Sequence, residues 1–174
     1  MMRTQQVPPC PAPVWAPPGD AVEIRPARPD DEERIRRFLA GLSARTRHLR
    51  FFTDVDGRSA SVVRALLAVD DRRDVLLAVA GEAVVGHVMG FTGGAADVEV
   101  AVVVTDEWQG RGIGSRLVRR LLRRASVNGA RTVGMDVLGD NRKVLAMVRR
   151  LWPEAVMRVS CGTVEVTAPV EPRG

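Results

Sequence analysis

The chain contains no tyrosine, two cysteines and only 4% aromatic residues. These shortages exclude certain kinds of catalytic and structural site. Without tyrosine, no phenolic side chain can donate a proton in catalysis. Cys10 and Cys161 lie near opposite ends of the chain, which suits neither a disulfide framework nor a metal site, so we expect no bound metal. No apolar run reaches the roughly 18 to 20 residues of a membrane-spanning helix, and the N-terminus lacks the apolar core of a signal peptide. We therefore expect a cytoplasmic protein without a membrane partner.

Lysine is also scarce, because Lys143 is the single lysine among 26 basic residues. The net charge of +5 and the pI near 10.7 would suit a nucleic-acid partner. However, arginine in place of lysine is what a GC-rich genome produces, and the arginines are scattered along the chain. We therefore expect no nucleic-acid partner, although a basic surface should attract phosphate-bearing cofactors.

Length and composition indicate one domain. With 174 residues, 45% of them hydrophobic, the chain is long enough to bury one core but too short for two well-buried cores. Six prolines within residues 1–20 oppose helix and sheet, so we expect a disordered arm there. The domain itself should span residues 21–170.

The hydrophobic pattern predicts a mixed α/β sheet, because strand and helix periodicities alternate along the chain. Strands are predicted within residues 21–27, in two runs of 74–91 that turn at Gly81-Glu82, in 98–104, in 130–139, and in 155–161 and 163–170, which turn at Gly162-Thr163. Helices are predicted over residues 28–43, over 44–52 with Ser43 as the N-cap, within 59–70, after Gly114, and over 141–152.

Three alternating glycines, in Gln109-Gly110-Arg111-Gly112-Ile113-Gly114, separate a valine-rich strand from a strongly amphipathic helix. Free N–H groups and the positive end of the helix dipole make such a junction an anion site. A Walker loop is excluded because the motif has no lysine. A dinucleotide fingerprint is excluded as well, because it needs the spacing Gly-x-Gly-x-x-Gly.

The pattern that fits is Gln/Arg-x-x-Gly-x-Gly/Ala, which is met by Gln109, Gly112 and Gly114. In its position between strand and helix, this motif resembles that of the GCN5-related N-acetyltransferase family, and the order of elements is similar over residues 21–170. The resemblance implies a mostly antiparallel mixed central sheet flanked by helices. It also implies acetyl-CoA as the cosubstrate and a primary amine as the acetyl acceptor.

The resemblance further implies which residues meet the cofactor. In the family, the glycine loop holds the pyrophosphate of acetyl-CoA on main-chain N–H groups, and the strand before it pairs with the pantetheine arm and donates to the thioester oxygen. On this sequence the strand positions are Val102 and Val104, and the loop positions are Gln109, Gly110, Arg111, Gly112, Ile113, Gly114 and Ser115. Asn141 either touches the pantetheine or caps its own helix. Arg111 and Arg116 either meet phosphates or stay solvated.

Glu99 is the expected general base, because acetyl transfer needs a neutral amine and this carboxylate matches the glutamate position of bacterial protein-lysine acetyltransferases. By parity it shares a strand face with Ala101 and Val103. The alternative is a strand-end glutamate that faces solvent or pairs with an arginine, and Asp97 is then the next candidate. Many family members place a tyrosine acid seven residues after the asparagine, but here that position is Val148. A CoA thiolate is a fair leaving group, so the acetyltransferase interpretation does not require this tyrosine.

The segment "LSARTRHLRFF" resembles one in acetyltransferase domains that modify protein lysines, which makes a protein lysine the first expected acceptor. A small-molecule amine, such as an antibiotic or a polyamine, is the alternative acceptor. A module that binds acyl-CoA without catalysis is the alternative to an enzyme. His48 and His87 could line the acceptor site, although lone histidines are more often packed or exposed. The pair Phe51-Phe52 is expected in the core.

Overall fold

The computed structural model describes residues 22–52 and 59–171, and the arm predicted at residues 1–20 lies outside them. Its strands are β1 (Glu23–Pro26), β2 (Arg73–Ala80), β3 (Ala83–Phe91), β4 (Val98–Val104), β5 (Thr132–Leu138), β6 (Val156–Ser160) and β7 (Thr163–Pro169). Its helices are α1 (Glu32–Gly41), α2 (Ala44–Phe51), α3 (Ala60–Leu67), α4 (Ile113–Val127) and α5 (Arg142–Leu151).

The strands form one sheet in the order β1-β2-β3-β4-β5-β7-β6. Every neighbouring pair is antiparallel except β4 and β5, which run parallel. The prediction of a single α/β domain with a mixed, mostly antiparallel sheet flanked by helices is therefore confirmed.

The parallel pair is short. Val98 pairs with Val133 and Glu99 pairs with Gly134, and the strands then separate. On its other side, β4 stays paired with β3 as far as Val104 without a shift in register, so the opening is a splay and not a bulge. A wedge therefore opens between β4 and β5 toward their C-terminal ends. Beyond Glu99, the β5-facing edge of β4 has no strand partner within the part of the chain that the structure describes.

Helices cover both faces of the sheet. One face packs against α4 and α5 around Leu117, Leu121 and Val148, and the other packs against α1 and α3 around Ile35 and Leu39. Burial of these apolar side chains is the main source of stability for such a layered fold. Of the helices in the described ranges, none combines the length and the apolar character that a membrane span requires.

Two glycines on β3 allow α4 to lie close to the sheet. A Cβ atom on Gly86 would lie 2.9 Å from Leu117 Cδ1, and one on Gly90 would lie 3.0 Å from Leu121 Cδ2. Side chains at these positions would force Leu117 and Leu121 to shift, because such distances are tighter than almost all real Cβ contacts. The close packing fixes where α4 begins, and with it the position of the glycine loop.

The single helix predicted over residues 28–43 is wrong in its extent. Pro29–Asp31 form a separate 3-10 turn, and α1 begins only after it. The buried carboxylate of Asp31 accepts hydrogen bonds from the Arg25 guanidinium at 2.7 and 2.6 Å and from the N–H of Arg28 at 2.9 Å. The bonds from Arg25 above all lower the pKa of Asp31 to about 2, which keeps it ionised. This ion pair joins the turn to β1 and sets the start of α1.

The last hairpin turns one residue earlier than predicted. Ser160 pairs with Thr163, so the turn residues are Cys161 and Gly162 rather than Gly162 and Thr163. Both turn residues have positive φ, 47° and 81°, which is what a two-residue turn between twisted strands requires.

Candidate functional site

A cavity of about 560 Å³ opens between α2, the end of β4, the first turn of α4 and α5. The ten residues predicted to bind the cofactor all line it, and they are Val102, Val104, Gln109, Gly110, Arg111, Gly112, Ile113, Gly114, Ser115 and Asn141. The fold thus brings the whole predicted set together, beside the stretch of β4 that has no partner in β5.

The glycine loop presents backbone to this cavity. Gly110 and Gly112 have φ values of 77° and 76°, a left-handed conformation that favours glycine, and Gly112 is the N-cap of α4. At Gly114, a Cβ atom would lie 3.6 Å from Met147 Sδ and 3.8 Å from Val104 Cγ2, which is ordinary contact. Packing within the protein therefore does not require glycine at position 114. The N–H groups of the first turn of a helix have no acceptor within the helix, so they are free to bind an anion here.

The side chain of Gln109 connects three elements around the loop. Its Nε2 donates to the carbonyl oxygen of Val104 at 3.0 Å and to Thr46 Oγ1 at 3.4 Å, and its Oε1 accepts from Lys143 Nζ at 2.7 Å. The amide thereby links the end of β4, α2 and α5. Its side chain holds the loop in place, so any contact with a cofactor falls to the neighbouring backbone.

Asp106 attaches the same region to the N-terminus of α2. Its carboxylate accepts from Ser43 N at 3.1 Å, from Ser43 Oγ at 2.9 Å and from Thr46 Oγ1 at 2.7 Å. Loss of hydration alone would raise the pKa of this carboxyl, but the hydrogen bonds from Ser43 and Thr46 outweigh it and hold the pKa below its ordinary value. Ser43 also accepts from Thr46 N at 3.1 Å, which confirms it as the N-cap of α2.

Cationic side chains surround the loop. Arg111 lies over the ring of Trp108 at 4.8 Å, and Arg150 donates to Ser115 Oγ at 2.8 Å. Together with Lys143, they give the cavity a positive field that suits phosphates. Arg116 does not belong to this group, because its guanidinium donates to the carbonyl oxygen of Val22 at 3.0 Å and does not line the cavity.

Asn141 caps its own helix, which was one of the two roles predicted for this residue. Its Oδ1 accepts from Val144 N at 3.3 Å at the start of α5, while the residue also lines the cavity. Val148, where many family members have a tyrosine, is fully buried against the sheet. No acidic group therefore replaces the missing phenol at this position.

Glu99 lies at the vertex of the wedge, in the last residue pair that joins β4 to β5. Its side chain is half-buried, its Oε1 accepts from Ala96 N at 3.2 Å, and the described residues provide no salt-bridge partner for it. The alternative in which Glu99 pairs with an arginine therefore finds no support in that part of the chain. Glu99 does not line the cavity, and Val102 lies about 10 Å further along the strand. To act on an amine at the cavity, the carboxylate would need the amine to enter the wedge or a bridging water.

Asp97, the alternative base, is engaged in the structure. Its carboxylate accepts from the N–H groups of Arg131 at 2.8 Å and Thr132 at 2.9 Å, at the start of β5. These backbone hydrogen bonds lower its pKa, so it remains a stabilised anion and a weak proton acceptor. The geometry favours Glu99 over Asp97.

Neither histidine lines the cavity. His87 is fully buried, with Nε2 2.8 Å from the carbonyl oxygen of Leu66, and burial first and Arg50 second lower its pKa to about 4. His48 is exposed on α2. Of the aromatic pair, Phe51 packs against the core, but Phe52 is 44% exposed, so its predicted place in the core is wrong. Phe52 ends α2 in a left-handed conformation with φ of 61°, which turns its side chain outward.

Two groups of residues that line the cavity were not predicted as site residues. One face of α2 contributes Arg45, Thr46, Leu49 and Arg50, and α5 contributes Lys143, Val144, Ala146, Met147 and Arg150. The helical spacing of the α2 residues was present in the sequence. The contact of α2 with the loop was not visible there, because it joins residues about 60 positions apart.

Residues 42–151 match the acetyltransferase (GNAT) family. The chain belongs to this family. Among curated acetyltransferases, it is 34% identical over 119 residues to acetyltransferase PA5475 of Pseudomonas aeruginosa, covering 65% of this chain and 64% of that protein. It is 31% identical over 175 residues to acetyltransferase Pat of Mycolicibacterium smegmatis, covering 93% of this chain and 52% of that protein. The GNAT domain of S. lividans PAT superposes with a TM-score of 0.78 at 26% identity, over 85% of this chain and 90% of that one.

The GNAT chain described here spans 64% and 52% of the lengths of these two curated acetyltransferases. Acetyl-CoA is the cosubstrate of the GNAT family. The cavity offers what this molecule needs, namely N–H donors and cations for its phosphates and an unpaired strand edge for its amide-bearing pantetheine arm.

Proposed function

We propose that the chain is an acetyl-CoA-dependent N-acetyltransferase that transfers acetyl to a protein lysine. The observation that carries this proposal is the continuity of the unpaired edge of β4 with the glycine loop at the start of α4. Both lie in one positively charged cavity. A donor of extended amide groups followed by a diphosphate fits such a surface from end to end.

In the proposed complex, the pyrophosphate binds the N–H groups of the loop from Gly110 to Gly114. The pantetheine arm lies along β4 as an added strand at Val102 and Val104, whose main-chain N–H groups are the candidate donors to the thioester oxygen. That oxygen gains negative charge as the amine attacks, so fixed donors there stabilise the transition state. Lys143 and Arg150, which border the loop, add positive charge beside the phosphates.

The proposed chemistry is direct attack of the amine on the thioester carbon. A lysine ammonium has a pKa of about 10.4, so a proton must leave before attack, and Glu99 is the proposed acceptor, directly or through one water. The C–N bond forms and the C–S bond breaks. The second proton of the attacking nitrogen leaves to water, and it replaces the proton that the departing CoA thiolate takes from water. A covalent enzyme intermediate is not proposed, because Cys161 lies in the β6–β7 turn and does not line the cavity.

The choice of a protein lysine is supported by the segment at residues 42–52. It resembles the corresponding segment of acetyltransferase domains that modify lysines, and it forms α2, the helix that borders the cavity. The similarity to the Pat proteins supports the same choice. A cytoplasmic location is part of this proposal, since protein lysines and acetyl-CoA meet there.

The test combines binding and turnover. We expect calorimetry to show acetyl-CoA binding, and free-CoA release on a peptide array to show acetylation of lysine peptides. The same peptides with arginine in place of lysine serve as the matched control. Turnover on an aminoglycoside or a polyamine without turnover on any peptide would favour the small-molecule alternative. Binding without turnover on either would make the chain an acyl-CoA-binding module.

A further inference from the structure

Arg50 lies in the wall of the cavity that α2 forms. On α2 it is four residues after Thr46, so both side chains lie on the same helix face, and both line the cavity. Thr46 contacts Asp106 and Gln109 beside the loop. Arg50 is one helical turn further, about 6 Å along the axis. Arg50 also influences His87, which pairs with Val103, so it lies near the β4 part of the cavity.

Among the described residues, none provides a counter-charge for the guanidinium of Arg50. Its Nε is inaccessible to solvent and has no hydrogen-bond partner, and within the described ranges no carboxylate lies at salt-bridge distance. Its contact is with the ring of Phe51, 5.0 Å from the guanidinium carbon. Burial lowers the pKa of Arg50 to about 10, so the group remains charged at neutral pH. The residue as a whole is half-buried, but its enclosed Nε lacks an acceptor, which is costly and favours a ligand that supplies one.

The other cations of the cavity differ from Arg50 in this respect. Lys143 donates to Gln109 at 2.7 Å, Arg150 donates to Ser115 at 2.8 Å, and Arg45 lies 3.6 Å from the carboxylate of Asp140. Each has a polar partner within the protein. Arg50 therefore differs from them, because the described part of the chain offers it no polar partner.

His87 does not supply that partner. Its Nε2 faces the carbonyl oxygen of Leu66, which can only accept, so the proton is assigned to Nε2 and Nδ1 is left as an acceptor. With its pKa at about 4, the ring is neutral at physiological pH and cannot balance a positive charge. Arg50 contributes to that low pKa, so the two groups are close in space. His87 Nδ1 and Arg50 Nε are the two buried side-chain polar atoms in the described residues that lack a hydrogen-bond partner.

We propose that Arg50 binds a carboxylate of the substrate, at a subsite in the α2 wall of the cavity, one helical turn after Thr46. A carboxylate suits a single guanidinium because the two can form a pair of parallel hydrogen bonds with balanced charge, whereas a dianionic phosphate would keep an excess negative charge. This proposal rests on the proposed acetyltransferase function. The carboxylate comes either from the acyl chain of the donor or from the acceptor, as an acidic residue beside the lysine.

Two matched pairs of substrates separate these sources. The first pair is succinyl-CoA and butyryl-CoA, which have the same chain length and differ in the terminal carboxylate, compared by Kd. The second pair consists of two lysine peptides with glutamate or glutamine beside the lysine, compared by kcat/KM with acetyl-CoA. We expect the wild-type protein to favour the acidic member of one pair by about 10-fold. The pair that shows the preference identifies the source.

Variants then assign the preference to Arg50. Arg50→Gln should abolish it, and Arg47→Gln, on the same helix but outside the cavity, should retain it. Affinity for acetyl-CoA should be unchanged in both. The proposal is overturned if the wild-type protein shows no preference in either pair, a comparison that needs no variant to fold. It is also overturned if the preference survives in Arg50→Gln, or if that variant loses only acetyl-CoA affinity. No binding of acetyl-CoA by the wild-type protein would instead reject the proposed function, and this is measured before either pair.

Discussion

The carboxylate of Glu99 occupies the space that a side chain on Gly134 would fill. The two residues are partners across the last rung between β4 and β5, and a Cβ atom on Gly134 would lie 2.5 Å from Glu99 Oε1. The absence of a side chain on β5 is therefore what permits a carboxylate at the vertex of the wedge.

Gly134→Ala should lower turnover by displacing Glu99. A catalytic group that is displaced from its working position lowers the rate of the reaction. We therefore expect kcat to fall by about 10- to 100-fold while the Kd for acetyl-CoA stays within about twofold. The measurement is free-CoA release together with calorimetry. Gly41→Ala is the matched control, since a Cβ atom there meets nothing within 4 Å and should leave kcat unchanged. Wild-type kcat in Gly134→Ala would show that the position of Glu99 does not matter for the reaction.

Glu99→Gln should lower turnover by roughly 10²- to 10⁴-fold with little change in acetyl-CoA affinity, because it removes a proton acceptor and keeps its shape. The deficit should shrink at high pH, where more of the acceptor amine is already neutral. Asp97→Asn provides the contrast. It weakens hydrogen bonds to the N–H groups of Arg131 and Thr132, so its effect should fall on the melting temperature and not on kcat. The opposite pattern, with turnover lost only in Asp97→Asn, would exchange the roles of the two acids.

Gly114→Ala should weaken acetyl-CoA binding without destabilising the protein. The added methyl meets only ordinary contacts with Met147 and Val104, at 3.6 and 3.8 Å, so the melting temperature should stay within about 1 °C of wild type. A methyl beside the N–H groups of the helix start would still hinder a pyrophosphate, and Gly114→Asp should abolish binding by adding negative charge. Calorimetry with acetyl-CoA is the measurement. Unchanged affinity in both variants would move the phosphate site elsewhere.

Asp31 should make the protein sensitive to acid. Its pKa in the folded protein, about 2, lies below the ordinary value of 3.8, so folding favours its ionised form. The contribution is complete above pH 4 and disappears as the pH falls toward 2, and the shift corresponds to about 2 kcal/mol. Denaturant unfolding from pH 6 to pH 2 measures it. Asp31→Asn should be less stable at pH 6 and should show a flatter pH dependence below pH 4, whereas Asp30→Asn, an exposed neighbour, should follow wild type.

The order of the elements and the glycine loop could be predicted from the sequence because both depend on patterns of residues that are close together in the chain. The valine-rich run forms β4, and the apolar line at Leu117 and Leu121 forms the buried face of α4. The broken start of α1 could not be predicted, since it depends on a buried ion pair between Asp31 and Arg25. A sequence pattern shows that a residue is charged, but it does not show what a distant strand places next to it.

For the candidate site too, some residues could be predicted from the sequence and others could not. The ten predicted residues come from two continuous segments and Asn141, where the spacing itself carries the information. The wall formed by α2 was missed because Ser43 and Thr46 meet Asp106 only through the fold. Arg50 was missed for the same reason. Among 25 arginines, the burial of one Nε and its lack of a partner in the described residues are properties of the tertiary structure.

The wedge between β4 and β5 makes the sheet discontinuous where the cavity lies. Val103 belongs to the core on the α1 side of the sheet, while Ile113 and Met147 belong to the core on the α4 side, yet all three line the same cavity. A ligand in this cavity therefore contacts residues from both cores of the domain at the point where the sheet opens.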